Sequence, residues 1–264
     1  MYLLIGWCVL WWSAWVHADD MVLRVMSRAT QGEAYFHGLL GAAMSAAGSP
    51  VRLQPLQEMP NARAELLLQQ GKLDLHWFVR TAQRDKQFLR VDVPLTEGMM
   101  GRRVLMVPPK YANEYVAYRS LQDVQQSGKV AAMAHGWADI AIWQYNGLPV
   151  SPQRLSVPEL YRLVAQGGRG MHYFPRSVIE IETERDHHAG LVPARGIMLV
   201  YAQDCYFYVS PRRPELQRSL QLALQQAQAS GLRQRLFRQH YAAALSALEL
   251  DKRHVLKLKL PASS

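Results

Sequence analysis

"LDLHWFVRTAQRDKQFLRVDVP", Leu73 to Pro94, starts as a buried strand. A Trp, a Phe, two Arg and a Thr crowd its exit, and a second apolar run follows without a long loop. Thr81 and Arg84 stand three apart just past the strand end. An arginine there offers a planar fork that matches a carboxylate bidentately. The alternative is a surface pair between Arg84 and Asp85 or Glu97.

Upstream, "VLRVMS" (Val22–Ser27) reads as a strand and "AYFHGLLGAAMSAAG" as a helix closed by Gly48. "VRLQPL" (Val51–Leu56) alternates like a second strand, and "NARAELLLQQG" is a helix running from a capping Asn61 to Gly71. With "LDLHW" this gives β-α-β-α-β, which calls for a mainly parallel sheet flanked by helices. Downstream, "RRVLMVPP" is a strand, and "SLQDVQQSG" opens a second series: strand "KVAAMA", helices "WADIAIWQYNG" and "VPELYRLVAQGG", strand "MHYFP". "GIMLVYAQDCYFYVSP" is strand material, two long helices follow, and "RHVLKLKLP" is expected to pack on the surface. Two α/β units joined by strand-like connections near 105–112 and 199–210 imply two lobes with a cleft between them. Lobe 1 is expected at 19–110 and 202–264, and lobe 2 at 111–201. Ligands of open parallel sheets sit beyond the carboxyl ends of the strands. That points to "SRATQ", "HWFVRTAQR", "AHGWAD" and "YFPRS".

Of the 264 residues, 49% are hydrophobic, enough for two modest cores. "MYLLIGWCVLWWSAW" is apolar and shorter than the ~20 residues of a membrane span. Val16 and Ala18 fit a signal-peptidase site, so residues 1–18 are read as a signal peptide with the mature chain starting at Asp19, although no Lys or Arg precedes the run. An uncleaved anchor is the alternative. Of two cysteines, removal of the leader leaves Cys205, which excludes an internal disulfide and cysteine-pair zinc sites. The net charge of +9 survives, since the leader carries no Lys, Arg, Asp or Glu. It favours anionic ligands or an anionic membrane face, or serves solubility alone. No Lys/Arg block suggests a nucleic-acid partner.

Enzyme chemistry is not expected. Ser27, Ser210 and Cys205 have no adjacent His, and no G-x-S-x-G, G-x-G-x-x-G or Walker sequence occurs. Glu180, Glu182 and Glu184 read as a solvated helix face rather than a carboxylate pair. His187 and His188 lack a placed third ligand, so neither metal nor cofactor is expected.

Several segments together resemble the type 2 periplasmic solute-binding proteins, in particular the amino-acid-binding branch associated with ABC importers. They are "GKLDLHW" (small-Gly-x-hydrophobic-Asp), "RTAQRDKQFLRVDVPL" (T-x-x-R, then a short strand), "SLQDVQQSGKVAAMAHG", and "YFYVSP" followed by "PELQRSLQLALQQAQASG". The resemblance implies that Thr81 and Arg84 hold a ligand carboxylate. It places Arg176 where the family usually has an acid for the ligand's ammonium group, so either Glu180 takes that role or the ligand is not an ordinary α-amino acid. At "AHGWAD" Gly136 matches the family, whereas Trp137 replaces a small hydroxyl residue. Trp77 and Trp137 either sandwich a ligand or pack in the cores. The expectation is an exported, monomeric receptor that hands a carboxylate-bearing solute to a membrane permease. A sensory relative acting on a membrane partner is the alternative.

Overall fold

The computed structural model describes residues 21–27 and 31–262. The expected leader lies outside the described residues. The first lobe starts with β1 (Met21–Met26), α1 (Gln31–Ala46) and β2 (Val51–Leu56), followed by α2 (Asn61–Gln69), β3 (Leu75–Val79), α3 (Ala82–Gln87) and β4 (Leu89–Arg90). β5 (Arg102–Val107) leads to α4 (Leu121–Gln126), β6 (Ala131–Ala134), α5 (Asp139–Tyr145), β7 (Val150–Gln153), α6 (Val157–Ala165), β8 (Phe174–Ser177) and α7 (Val178–Thr183). The chain returns through β9 (Val192–Pro193), β10 (Ile197–Val200) and β11 (Cys205–Val209), then α8 (Pro214–Ala229), α9 (Leu232–Ala247) and β12 (His254–Lys257).

The sheets are mixed. Strands joined by a helical crossover pair in parallel, β1 with β2 and β6 with β7. Where the two connections between lobes meet, pairing is antiparallel: β3 and β4 with β11, and β5 with β10 and β8. "RHVLKLKLP" packs at the surface as expected, with His254, Val255 and Lys257 exposed, but it does so as an edge strand. It forms β12, parallel to β10 in the sheet that holds β5 and β8, and buries Leu256 and Leu258 beside Leu105, Val107 and Trp143. Alternation marks a strand but does not name its partner. The expected Asn61 cap is also displaced: Pro60 holds the N-cap position of α2.

Helical spacing puts Tyr35, Phe36, Leu39, Leu40, Ala43 and Met44 on the buried face of α1. Its cluster continues through Phe237 and Tyr241 of α9 to Ile179 and Ile181 around α7 and Leu160 of α6, so an apolar seam joins the two lobes there. Asp74 ties the first lobe together. Its buried carboxylate accepts from Arg24 Nη2 at 2.7 Å and from Arg213 Nη1 at 3.0 Å, linking β1 to the start of α8. At the hinge the carboxylate of Asp204, on the returning connection, accepts from the N–H groups of Leu95, Thr96 and Gly98 on the outgoing one. Gly101 meets Tyr201 so closely that a Cβ would stand 2.0 Å from the Tyr201 carbonyl oxygen.

Candidate functional site between the lobes

The exit of β3 is built as a helix cap. Thr81 caps α3, its Oγ1 accepting from the Arg84 N–H at 3.2 Å. The Arg84 guanidinium pairs with neither Asp85 nor Glu97. Nε and Nη2 reach Glu65 Oε1 of α2 at 2.9 and 2.8 Å, Nη1 donates to the Val79 carbonyl at 2.7 Å, and the Phe78 ring lies 4.7 Å below. Asp85 is taken by Arg80, Arg90 and Tyr208. Trp77 is buried, stacked on Phe36 at 4.7 Å with its edge to His37.

The turn after β6 carries Gly136 at φ +84°, a left-handed conformation that suits glycine, and it has open space around it. Trp137 follows, stacked on Phe174 at 5.8 Å with the Arg176 guanidinium 5.0 Å from its ring. Arg176, at the end of β8, is buried and grips Glu184 through Nε at 2.8 Å and through Nη2, and it reaches Glu180 at 3.0 Å. Glu180 also caps α7 through the Ser177 N–H and pairs with Arg103 Nη1 at 3.0 Å. Arg103 is in turn held by Asp139 at 2.7 Å and by the Tyr201 hydroxyl at 2.6 Å.

The expected solvated face of Glu180, Glu182 and Glu184 is therefore only partly one. Glu182 pairs at the surface with Arg185, but Glu184 is 12% exposed beneath Arg176. The reason is nonlocal: α7 ends at Thr183, and the Glu184 side chain turns inward to a guanidinium delivered by β8. Two arginines face three carboxylates in this cluster. Burial pushes the Glu184 carboxyl up, and the neighbouring Glu180 adds to that against the pull of Arg176. Burial pushes Glu180 the same way, but Arg176 and Arg103 outweigh it and hold its carboxyl below the usual range. Burial also keeps the Tyr161 hydroxyl, which donates to Glu184 at 3.0 Å, firmly protonated. Among the described residues no group of His, Cys, Asp and Glu could hold a metal ion.

The open volume lies beside these groups. A cavity of about 670 Å³ separates Glu58–Pro60, after β2, from Ala134, His135 and Trp137, after β6, and Gln153–Val157, after β7. It sits at carboxyl ends of strands, where α2 and α6 begin. Of the residues singled out in the sequence, Trp137 lines it. Thr81, Arg84 and Trp77 do not line it: they are held by the α3 cap, Glu65 and Phe36, while Arg176 and Glu180 lie in the cluster against Trp137. The polar lining at Glu58, His135 and Arg154 was not singled out, although His135 belongs to a strand-end segment that was. A smaller cavity of about 390 Å³ lies at the hinge, beside Arg102, Gln203 and Lys257.

No protein-family model matches the chain, and no curated protein matches it significantly by sequence. Solved structures match in fold. A probable amino-acid ABC transporter extracellular-binding protein from Bacillus subtilis is similar with a TM-score of 0.62 at 14% identity, over 84% of this chain and 97% of that one. An amino acid ABC transporter substrate-binding protein from Streptococcus pneumoniae, bound to L-arginine, gives 0.60 at 15% identity, over 84% and 94%. An ancestral amino acid-binding protein, a precursor of cyclohexadienyl dehydratase, gives 0.61 at 14% identity, over 83% and 95%. The likeness is one of fold, and the chain has the two-lobe α/β fold of the type 2 periplasmic solute-binding proteins.

Proposed function

We propose that the protein is exported, captures a small polar, carboxylate-bearing solute in the cavity between its lobes, and delivers it to an ABC-type importer. The observation that carries this reading is the cavity itself, which opens between the lobes with Trp137 in its wall. Its volume falls in the range of about 300–1,000 Å³ typical of small-molecule sites. His135 and Arg154 supply donors for a carboxylate, and the positive ends of α2 and α6 face the same space. Gly136 and Trp137 meet the solute, Arg176 and Glu180 back Trp137 from behind, and the bound molecule undergoes no chemistry. The lobes are residues 19–110 with 202–264, and residues 111–201, with β5 and β12 completing the second lobe's sheet.

Thermal shift across a panel of amino acids and other carboxylates tests the reading. A bound solute at a hundredfold excess over Kd adds about 2.7 kcal/mol of stability. Trp137→Ala is expected to abolish the shift, and a panel with no active member would refute capture. N-terminal sequencing of the exported protein is expected to begin at Asp19.

A second reading is favoured by one observation: Arg84 and Arg176 already have carboxylate partners within the chain, Glu65 and Glu184. A relative that signals to a membrane sensor works without releasing those pairs. Recovery of a membrane partner by ligand-free protein, unchanged by any solute, is its expected signature.

A further inference from the structure

We infer that the smaller cavity at the hinge is a second binding site, for a small dianion of the phosphate or dicarboxylate type. It encloses about 390 Å³ and is lined by both connections between the lobes and by β12. The register of the sheet places its cations. Val200 of β10 pairs with Arg102 of β5 on one side and with Lys257 of β12 on the other. Residues directly opposite one another project to the same face of a sheet, so Arg102 and Lys257 flank Val200 on one face. Their backbones stand two strand spacings apart, about 10 Å. Both residues line the cavity.

Among the described residues neither cation has an ion-pair partner. The contrast with the next residue is direct. Arg103 projects to the opposite face and is answered by Asp139, Glu180 and the Tyr201 hydroxyl. Arg102 has no such answer and shares its face with a like charge, so an anion between Arg102 and Lys257 relieves both. Gln203 adds a neutral donor: its Oε1 accepts from Arg103 Nη2 at 3.5 Å, which leaves its amide nitrogen available. The Glu97 carboxylate in the same lining faces Arg233 of α9 at 3.7 Å. Two unanswered cations against one answered carboxylate select a dianion over a cation or a neutral solute. A dianion held by both cations ties β12 across β10 to β5, where the Leu258 N–H already donates to the Val200 carbonyl at 2.8 Å.

Inorganic phosphate and succinate, each titrated into the intact protein at constant ionic strength with sodium chloride as the matched control, test this. Calorimetry reads binding, and hydrogen exchange at the Leu258 amide reads the place. At least one dianion is expected to bind and to slow that exchange severalfold relative to chloride. A response to phosphate alone identifies a phosphate-type ligand, and one to succinate alone a dicarboxylate. Arg102→Gln and Lys257→Gln should each weaken the response about tenfold, and the double variant should abolish it. Melting in chloride checks that the variants fold, and the exposed Lys257 position carries the test should Arg102→Gln melt early. The Leu258 effect should persist in Arg154→Ala, which disturbs the interlobe cavity. Its loss there would assign the anion to that cavity and overturn the inference. A response to neither dianion, or one that survives the double variant, would overturn it as well, while leaving solute capture between the lobes intact.

Discussion

Asp204 and Thr96 lie on opposite connections between the lobes, and one carboxylate oxygen of Asp204 accepts from both the N–H of Thr96, at 2.8 Å, and its hydroxyl, at 2.7 Å. With Leu95, Gly98 and Cys205 also donating, a single side chain sets the spacing of the two crossings.

Asp204→Ala leaves the Thr96 N–H and hydroxyl and the Gly98 N–H without an acceptor, whereas the Leu95 N–H keeps the Cys205 carbonyl at 3.0 Å. The expected cost is about 3 kcal/mol, the penalty for a few unsatisfied polar groups softened by entering water. Asp204→Asn retains one acceptor oxygen and should cost less. Urea unfolding measures both, and hydrogen exchange at the Thr96 and Gly98 amides should quicken in the alanine variant.

Gly101→Ala places a methyl group against the Tyr201 carbonyl, a backbone atom that cannot rotate away. A loss of about 3 kcal/mol is expected, at the upper end for overpacking. Thermal melting checks it, with Gly98→Ala as contrast. That position has open space but a φ of +73°, so it should cost only the backbone strain, about 1–2 kcal/mol.

Arg176→Ala strands Glu184 and weakens the hold on Glu180, with an expected loss of about 3–5 kcal/mol at neutral pH. In the intact protein the Glu184 carboxyl is already raised by burial. Its contribution is therefore favourable below the unfolded value and is lost as the pH rises through the folded one. Without Arg176 that shift grows. The deficit of the variant should shrink as the pH is lowered and Glu184 takes a proton, and denaturation at pH 5 and pH 8 distinguishes the two regimes.

Asp74 has the opposite sign. Burial works against its charge, but Arg24 and Arg213 hold its carboxyl below the usual range. Its stabilisation is full above the unfolded value of about 4 and is lost as the pH falls through the lower folded value. Asp74→Asn should cost about 2 kcal/mol at pH 7, less than a fully buried pair because Arg24 and Arg213 can turn to water. The difference from the parent should narrow in acid.

The sequence made β1, α1, β2, α2 and β3 legible because each announces itself locally, whereas the short α3 after Thr81 is not foreseen. The six buried positions of α1 fall on one helical face, and β2 alternates over the span it occupies. What it concealed depends on partners distant in the chain. The alternation of residues 254–257 gives no sign that β10 is waiting for them, and the three glutamates after Ser177 look alike until Arg176 singles out one. The strand-end rule led to Trp137 and to the segment holding His135, but Glu58 and Arg154 sit in turns whose residue types are ordinary for solvent-exposed loops.

The place of β12 has a consequence for synthesis. The sheet carrying β5, β8 and β10 receives its edge strand from residues 254–257, beyond both long helices. While a chain is still emerging, β10 therefore presents an open backbone edge, with Leu105, Val107 and Trp143 short of their cover from Leu256 and Leu258. Such an edge invites pairing with the wrong strand. The second lobe is laid down in the middle of the chain yet matures last, and a nascent protein stalled before Leu256 would be a client for holding chaperones.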